Sequence, residues 1–164
     1  FVGQWLVERA GSAAGDAPWQ AGLVLGASGI GGLVYAVLVR RIIGWLGVRR
    51  MCLAGAAGVA AAYLMLAVVP SWWLAALAMM AAGLSFYMLH NSLQTDATEL
   101  APAARGSAVA LFACGLFAGQ ALGPVLFGAL AHGFGFPVAL LATAVGLVLL
   151  GQLVVHRIIT PSAR

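Results

Sequence analysis

The polar side chains of this 164-residue sequence are few, and several fall at spacings that could support chemistry. Gly83, Tyr87, His90, Asn91, Gln94 and Thr98 follow one another at steps of three and four, which sets them on one helix face. A polar face inside or near a lipid bilayer must look at protein or water, so this one could line the inner part of a solute path, with His90 and Gln94 at its gate. Interhelical hydrogen bonding without a ligand is the competing reading. Gln120 and Pro124 stand four apart, and a proline removes the bond to the carbonyl four residues before it. With Gly119 and Gly123 beside them they make either a hydratable weak point in mid-helix or a structural kink. Gly26-Ala27-Ser28-Gly29 together with His90 would suit an intramembrane serine protease. Helix rise sets Ser28 about 18 Å and His90 about 28 Å from the outer face, too far apart for the ~3 Å bond between a nucleophile and its base. Two cysteines, Cys52 and Cys114, form neither a disulfide framework nor a zinc site, and no cofactor motif is present.

The elements that must position these residues follow from composition. Hydrophobic residues make up 63% of the chain and charged residues 7%, against the roughly 25% charged of a soluble domain. No soluble fold of this size has the interior to hide so much apolar surface, which excludes a cytosolic enzyme, a nucleic-acid binder and a disordered chain. Formal charges are absent from 17–39, 51–95 and 106–156. A crossing needs about 20 apolar residues, so the first stretch holds one crossing and the longer two hold two each, divided at Pro70-Ser71 and at His132–Pro137. Five membrane-spanning helices are expected at about 17–39, 51–69, 72–95, 106–131 and 137–156. Helix is the only open conformation available to them, because lipid offers no partner for a bare amide.

Local signals support these starts. Asp16 and Ser71 stand where helix N-caps belong, and Pro18 and Pro137 fit first turns. Trp5, Trp19, Trp45, Trp72 and Trp73 all fall at span ends, where indole favours the membrane interface. Arginine sets the orientation: Arg40, Arg41, Arg49, Arg50, Arg105, Arg157 and Arg164 share one side, against Arg9 on the other. By the positive-inside rule that side, with the C-terminus, is cytoplasmic. Residues 1–15 are expected to be the outer end of a helix whose beginning is absent plus an outer loop. The chain is accordingly expected to be the C-terminal transmembrane part of a longer protein. Asp96 and Glu99 lie level with Arg49 and Arg50, and an ion pair made in one conformation only, with Glu99 the favoured acid, could bias a switch. The alternative is that these arginines simply meet anionic lipid.

Glycine distinguishes the spans. Gly22 with Gly26, and Gly115 with Gly119 and Gly123, recur every four residues, the pattern of closely packed helices. The first, third and fourth spans are therefore expected inside the bundle, and the Ala-, Leu- and Val-rich second and fifth at its periphery.

The run HNSLQTDATELAPAARGSAVALFACGLFAGQALGPVLFGAL (90–130) resembles the tenth-to-eleventh helix region of major facilitator superfamily transporters, above all the proton-coupled drug antiporter type. GGLVYAVLVRRIIGWLGVRRMCLAG resembles the end of their eighth helix, the basic loop and the start of the ninth. The resemblance implies an all-α membrane fold: five complete transmembrane helices plus the end of a sixth, half of a twelve-helix transporter. It also implies alternating access around a central site, small-molecule efflux coupled to protons, a separate N-terminal half as partner, and a bacterial inner membrane as the location. Tyr87, Asn91, Phe117, Gln120 and, more weakly, Ser28 are then the expected cavity-lining residues. Gly44 occupies the place of the family's loop aspartate, so a charge relay through that acid is not expected. Gly119, Gly123, Pro124 and Gly128 echo an antiporter motif that the family carries in its fifth helix. No acid or base lies mid-span, so a coupling carboxylate is expected in the N-terminal half. A non-transporting scaffold or subunit is the second reading and an intramembrane hydrolase the third. The substrate stays open among sugars, drugs, amino acids and other metabolites.

Overall fold

A computed structural model describes residues 15–100 and 102–156, and everything it describes is helix or short connection. Helix α1 runs Ala17–Val68, α2 Trp72–Leu100, α3 Arg105–Phe134 and α4 Phe136–Val154, with a 3-10 turn at Pro102–Ala104 before α3. Among the described residues, four helices are long and apolar enough to cross a membrane. The count differs from the expected five because residues 40–50, expected as a loop, are helical on both sides of a single exception, Gly47.

At Gly47 the backbone takes φ 67° and ψ 166°, a region open essentially to glycine alone. A straight helix would hold Tyr35 and Met51 about 24 Å apart. The Tyr35 hydroxyl instead meets the Met51 sulfur at 3.8 Å. Helix α1 therefore folds back on itself at Gly47 into two antiparallel arms, 17–46 and 48–68. The four arginines and Leu46 favour helix, and Ile42, Ile43, Val48 and even Gly44 are carried along in it, so the run is broken at Gly47 alone.

The remaining boundaries lie within a few residues of those expected, the largest shift being the extension of α2 to Leu100, just before Pro102. Pro137 occupies the first turn of α4 as anticipated. Asp16 and Ser71 stand at the helix starts as expected, their carbonyls accepting from Gln20 and Ala75, but neither side chain makes a cap bond. The Asp16 carboxylate instead accepts a bond from the Trp19 indole at 3.2 Å. The buried Ser71 hydroxyl has no partner among the described residues. Trp19 stacks edge-on against Trp72 with centroids 5.6 Å apart, and Trp45 is 86% exposed beside the Gly47 turn. The expected helix end at 1–15 lies outside the described residues apart from Gly15, as do Arg157 and Arg164.

Packing centres on the two arms of α1 and on α2, and glycine is what brings them together. A Cβ at Gly31 would overlap the Met80 carbonyl, and one at Gly83 the Ser28 carbonyl. Gly55 and Gly58 do the same for the second arm against Leu89 and Ser85. Buried clusters fill the seams: Tyr35, Met51 and Met88 in one, Cys52, Ala56, Leu89, Val154 and Val155 in another. The second arm and α4, expected at the periphery, thus each contribute a buried face. Helix α3 is the reverse case: none of its residues is buried, and a Cβ at Gly115, Gly119 or Gly123 would meet nothing within 4 Å. Nor do Gly22 and Gly26 meet anything. Close helix approach is made at glycines without the four-residue repeat.

Candidate functional site

The polar face of α2 is held against the first arm by one hydrogen bond. Asn91 donates its side-chain amide to the Tyr35 hydroxyl at 2.9 Å, and that hydroxyl points on to Met51. Tyr35 is only 4% exposed, so without Asn91 its oxygen would be buried with a weak sulfur contact alone, a costly state in an apolar interior. Tyr35 was not among the residues singled out from sequence. It stands alone in an apolar run, Leu33–Leu38, with no periodic neighbour to mark it.

Aromatic rings extend this contact across three helical segments. Tyr87 stacks on Tyr35 with centroids 6.3 Å apart and 19° between planes. His90 stacks on Phe86 at 5.6 Å and touches Phe112 of α3 at 5.3 Å. Gly32 makes room for the Tyr87 ring, since a Cβ there would collide with it. His90, expected at a gate, is set among aromatic rings.

Beside this cluster lies a cavity of about 280 Å³, lined by residues from both arms and α2 that include Ser28, Val59, Tyr63, Met79, Phe86 and Tyr87. Drug-sized sites run from ~300 to 1,000 Å³, so the space is near the lower limit of what one small molecule needs. Its lining is aromatic and aliphatic with a few hydroxyls and no formal charge, which suits orientation by hydrogen bonds more than capture of an ion. The Ser28 hydroxyl donates to the Leu25 carbonyl at 2.6 Å. Its proton is committed to its own helix and not to an imidazole, an arrangement unlike a serine nucleophile.

The structure thus brings Tyr87, Asn91 and His90 into one cluster, with Ser28 on the adjoining cavity. Phe117, at 65% exposure, and Gln120 stand apart on the outer face of α3. Helix α3 continues through Pro124 without a break. Gln94 is half-buried and Glu99 exposed at the end of α2. No ion pair joins Glu99 to Arg49 or Arg50 among the described residues, and both arginines are exposed. The more enclosed acid is Asp96, whose Oδ2 is buried without a hydrogen-bond partner among the described residues. It lies within electrostatic reach of Cys52 and of Glu99. Among the described residues, no group of three His, Cys, Asp or Glu could hold a metal ion.

Four apolar helices of membrane-crossing length around a polar, aromatic seam define an integral membrane protein of helical-bundle type. Residues 6–164 match the family model described as transmembrane secretion effector, a family of the major facilitator type, and the chain belongs to that family. It is accordingly a membrane transporter or effector in general terms, and transporters of this type are generally not enzymes. No curated protein and no solved structure matches the chain.

Proposed function

We infer that the chain is the C-terminal half of a secondary transporter that exports a small molecule by alternating access, with protons as the coupling ion. The observation that carries this reading is the seam of Tyr35, Tyr87, His90 and Asn91, a hydrogen-bonded and aromatic interior face in helices otherwise built for lipid. Interhelical bonding alone accounts for the Tyr35–Asn91 contact, but not for the cavity of about 280 Å³ beside it, whose lining gathers the hydroxyl-bearing Ser28, Tyr63 and Tyr87. The exposed side of α3, with Gln120, Phe117 and its glycines, supports the same reading: a polar residue and a small-residue face would be covered by a facing half. On this view the two arms of α1 are two crossings, five complete ones in all, and the arginine end is cytoplasmic. No carboxylate lies mid-helix among the described residues, so the coupling acid belongs to the facing half.

The test is efflux from cells expressing the full-length protein, with a panel of fluorescent amphiphilic cations, sugars and amino acids as solutes. Tyr87→Ala and Gln120→Leu, both at exposed positions, are expected to lower export about tenfold, the equivalent of ~1.4 kcal/mol, at unchanged membrane abundance. A protonophore should abolish export by the unaltered protein. Full export by both variants would overturn the site. Unaltered export under the protonophore would overturn the coupling. The proposed gate between Glu99 and Arg49 or Arg50 has its own check, because Glu99→Arg places like charges together and should slow transport; a normal rate would remove the pair.

A further inference from the structure

A second, wholly apolar groove lies between the second arm of α1 and α4, away from the polar seam, and its chemistry matches one component of the membrane. It has a volume of about 220 Å³ and no polar atom in its lining, which includes Ala60, Leu64, Leu141, Val145, Val148 and Leu149. That is below the ~300 Å³ at which drug-sized pockets begin, and a hydrocarbon chain is the simplest object that fills a slot without polar contacts.

What lies below the groove decides the occupant. The two helices run antiparallel in a register fixed by contact of Ala56 with Gly151 and by the cluster of Cys52 with Val154 and Val155. Eleven residues of helix return to the same face within about 20°. Arg49 therefore stands beneath Ala60, and Gln152 two turns beneath Val145, with His156 in the π turn just past the end of α4. The register also sets His156 within about one turn of Arg49 and Arg50. Arg49, Arg50, Gln152 and His156 are all exposed, neither helix carries an acidic residue over 48–68 or 136–156, and the acids of α2 at this end, Asp96 and Glu99, make no ion pair with either arginine among the described residues. From Arg50 to the Ala60–Leu64 level is about 15 to 21 Å by helix rise, comparable to the ~15 Å depth of one leaflet of a ~30 Å hydrocarbon core.

The geometry points to a binding site for an anionic phospholipid: its phosphate on Arg49 and Arg50, with Gln152 and His156 as further donors, and one acyl chain laid in the groove. The site takes its lipid from the leaflet on the arginine side, and it holds whether or not the protein exports a solute. Each arginine near an anionic membrane surface contributes about fivefold in binding, and the groove adds selectivity for a chain at one place on the surface.

The test uses the full-length protein in lipid nanodiscs doped with a phosphatidylglycerol that carries a photoactivatable group on its acyl chain. A phosphatidylcholine of the same chain serves as the comparison. Adducts mapped by mass spectrometry are expected on the exposed Leu64, Val145 and Leu149 in preference to Leu33 and Val37, exposed residues of the first arm. The preference for the anionic lipid should fall about fivefold per arginine in Arg49→Gln and Arg50→Gln, surface changes that leave the packing untouched. Adducts spread evenly over all exposed faces, or equal labelling by both lipids, would overturn the proposal. So would protein–protein cross-links across the groove in place of lipid adducts, which would assign the face to a second copy of the chain.

Discussion

Tyr35 and Asn91 carry the polar contact that ties α2 to the first arm, and their exchange has a calculable consequence. In Asn91→Leu the buried Tyr35 hydroxyl loses its strong partner, at a cost of about 1–3 kcal/mol. Thermal unfolding of the detergent-purified protein should show this as a lowered Tm. Adding Tyr35→Phe removes the stranded hydroxyl, so the double variant should recover part of the loss, and additive losses in that cycle would show that the two side chains do not act together. The other residue with a sharp expectation is Gly47. Its φ of 67° and ψ of 166° exclude other residues, although a Cβ there would meet nothing within 4 Å. Gly47→Ala should therefore destabilise by about 1–3 kcal/mol from backbone strain alone. Gly44→Ala, three residues away inside regular helix and equally uncrowded, should be neutral or stabilising by up to ~1 kcal/mol.

At the scale of elements, helix–helix distance is set by backbone contact through glycine, because lipid-embedded helices gain little from hydrophobic exclusion and depend on close packing. Gly83→Leu would drive a side chain into the Ser28 carbonyl and Gly31→Leu into that of Met80. Each should push α2 off the first arm, costing about 1–3 kcal/mol and separating Asn91 from Tyr35. The same leucine at Gly119, which faces open space, should leave the stability of this chain unchanged. Such pairings were only half legible in the sequence. That small residues would mark close approach was readable; which ones was not, because Gly31, Gly55, Gly58 and Gly83 find their partners on other segments and share no spacing. Helix itself was readable throughout, since the bilayer admits no other open structure for these segments. The hairpin was readable as a break somewhere in 40–50, though not as a single glycine, because everything around it is competent to stay helical. For the polar seam, the α2 face could be read from its steps of three and four. Its counterparts Tyr35 and Phe112 could not, since an isolated ring in an apolar run looks the same whether it meets lipid or another ring.

For the whole molecule the charge distribution makes an orientation prediction. Arg40, Arg41, Arg49, Arg50 and Arg105 all lie at one end of the helices, beside the Gly47 turn or the start of α3. A reporter fused after Arg164 should be active in the cytoplasm and silent outside, and the opposite result would invert the positive-inside assignment. Membership of the transmembrane secretion effector family agrees with such a bilayer-spanning chain. The two arms and α2 lock through backbone-close contacts, whereas α3 buries none of its residues and reaches α2 through rings such as His90 and Phe112. Mechanical slack is therefore unevenly distributed: three segments behave as a stiff plate, and α3 is a rod held by ring contacts near its two ends, His90 with Phe112 towards α2 and Phe127 with Phe136 towards α4. If part of this chain tilts while the rest keeps its shape, that rod is the part with the fewest bonds to break.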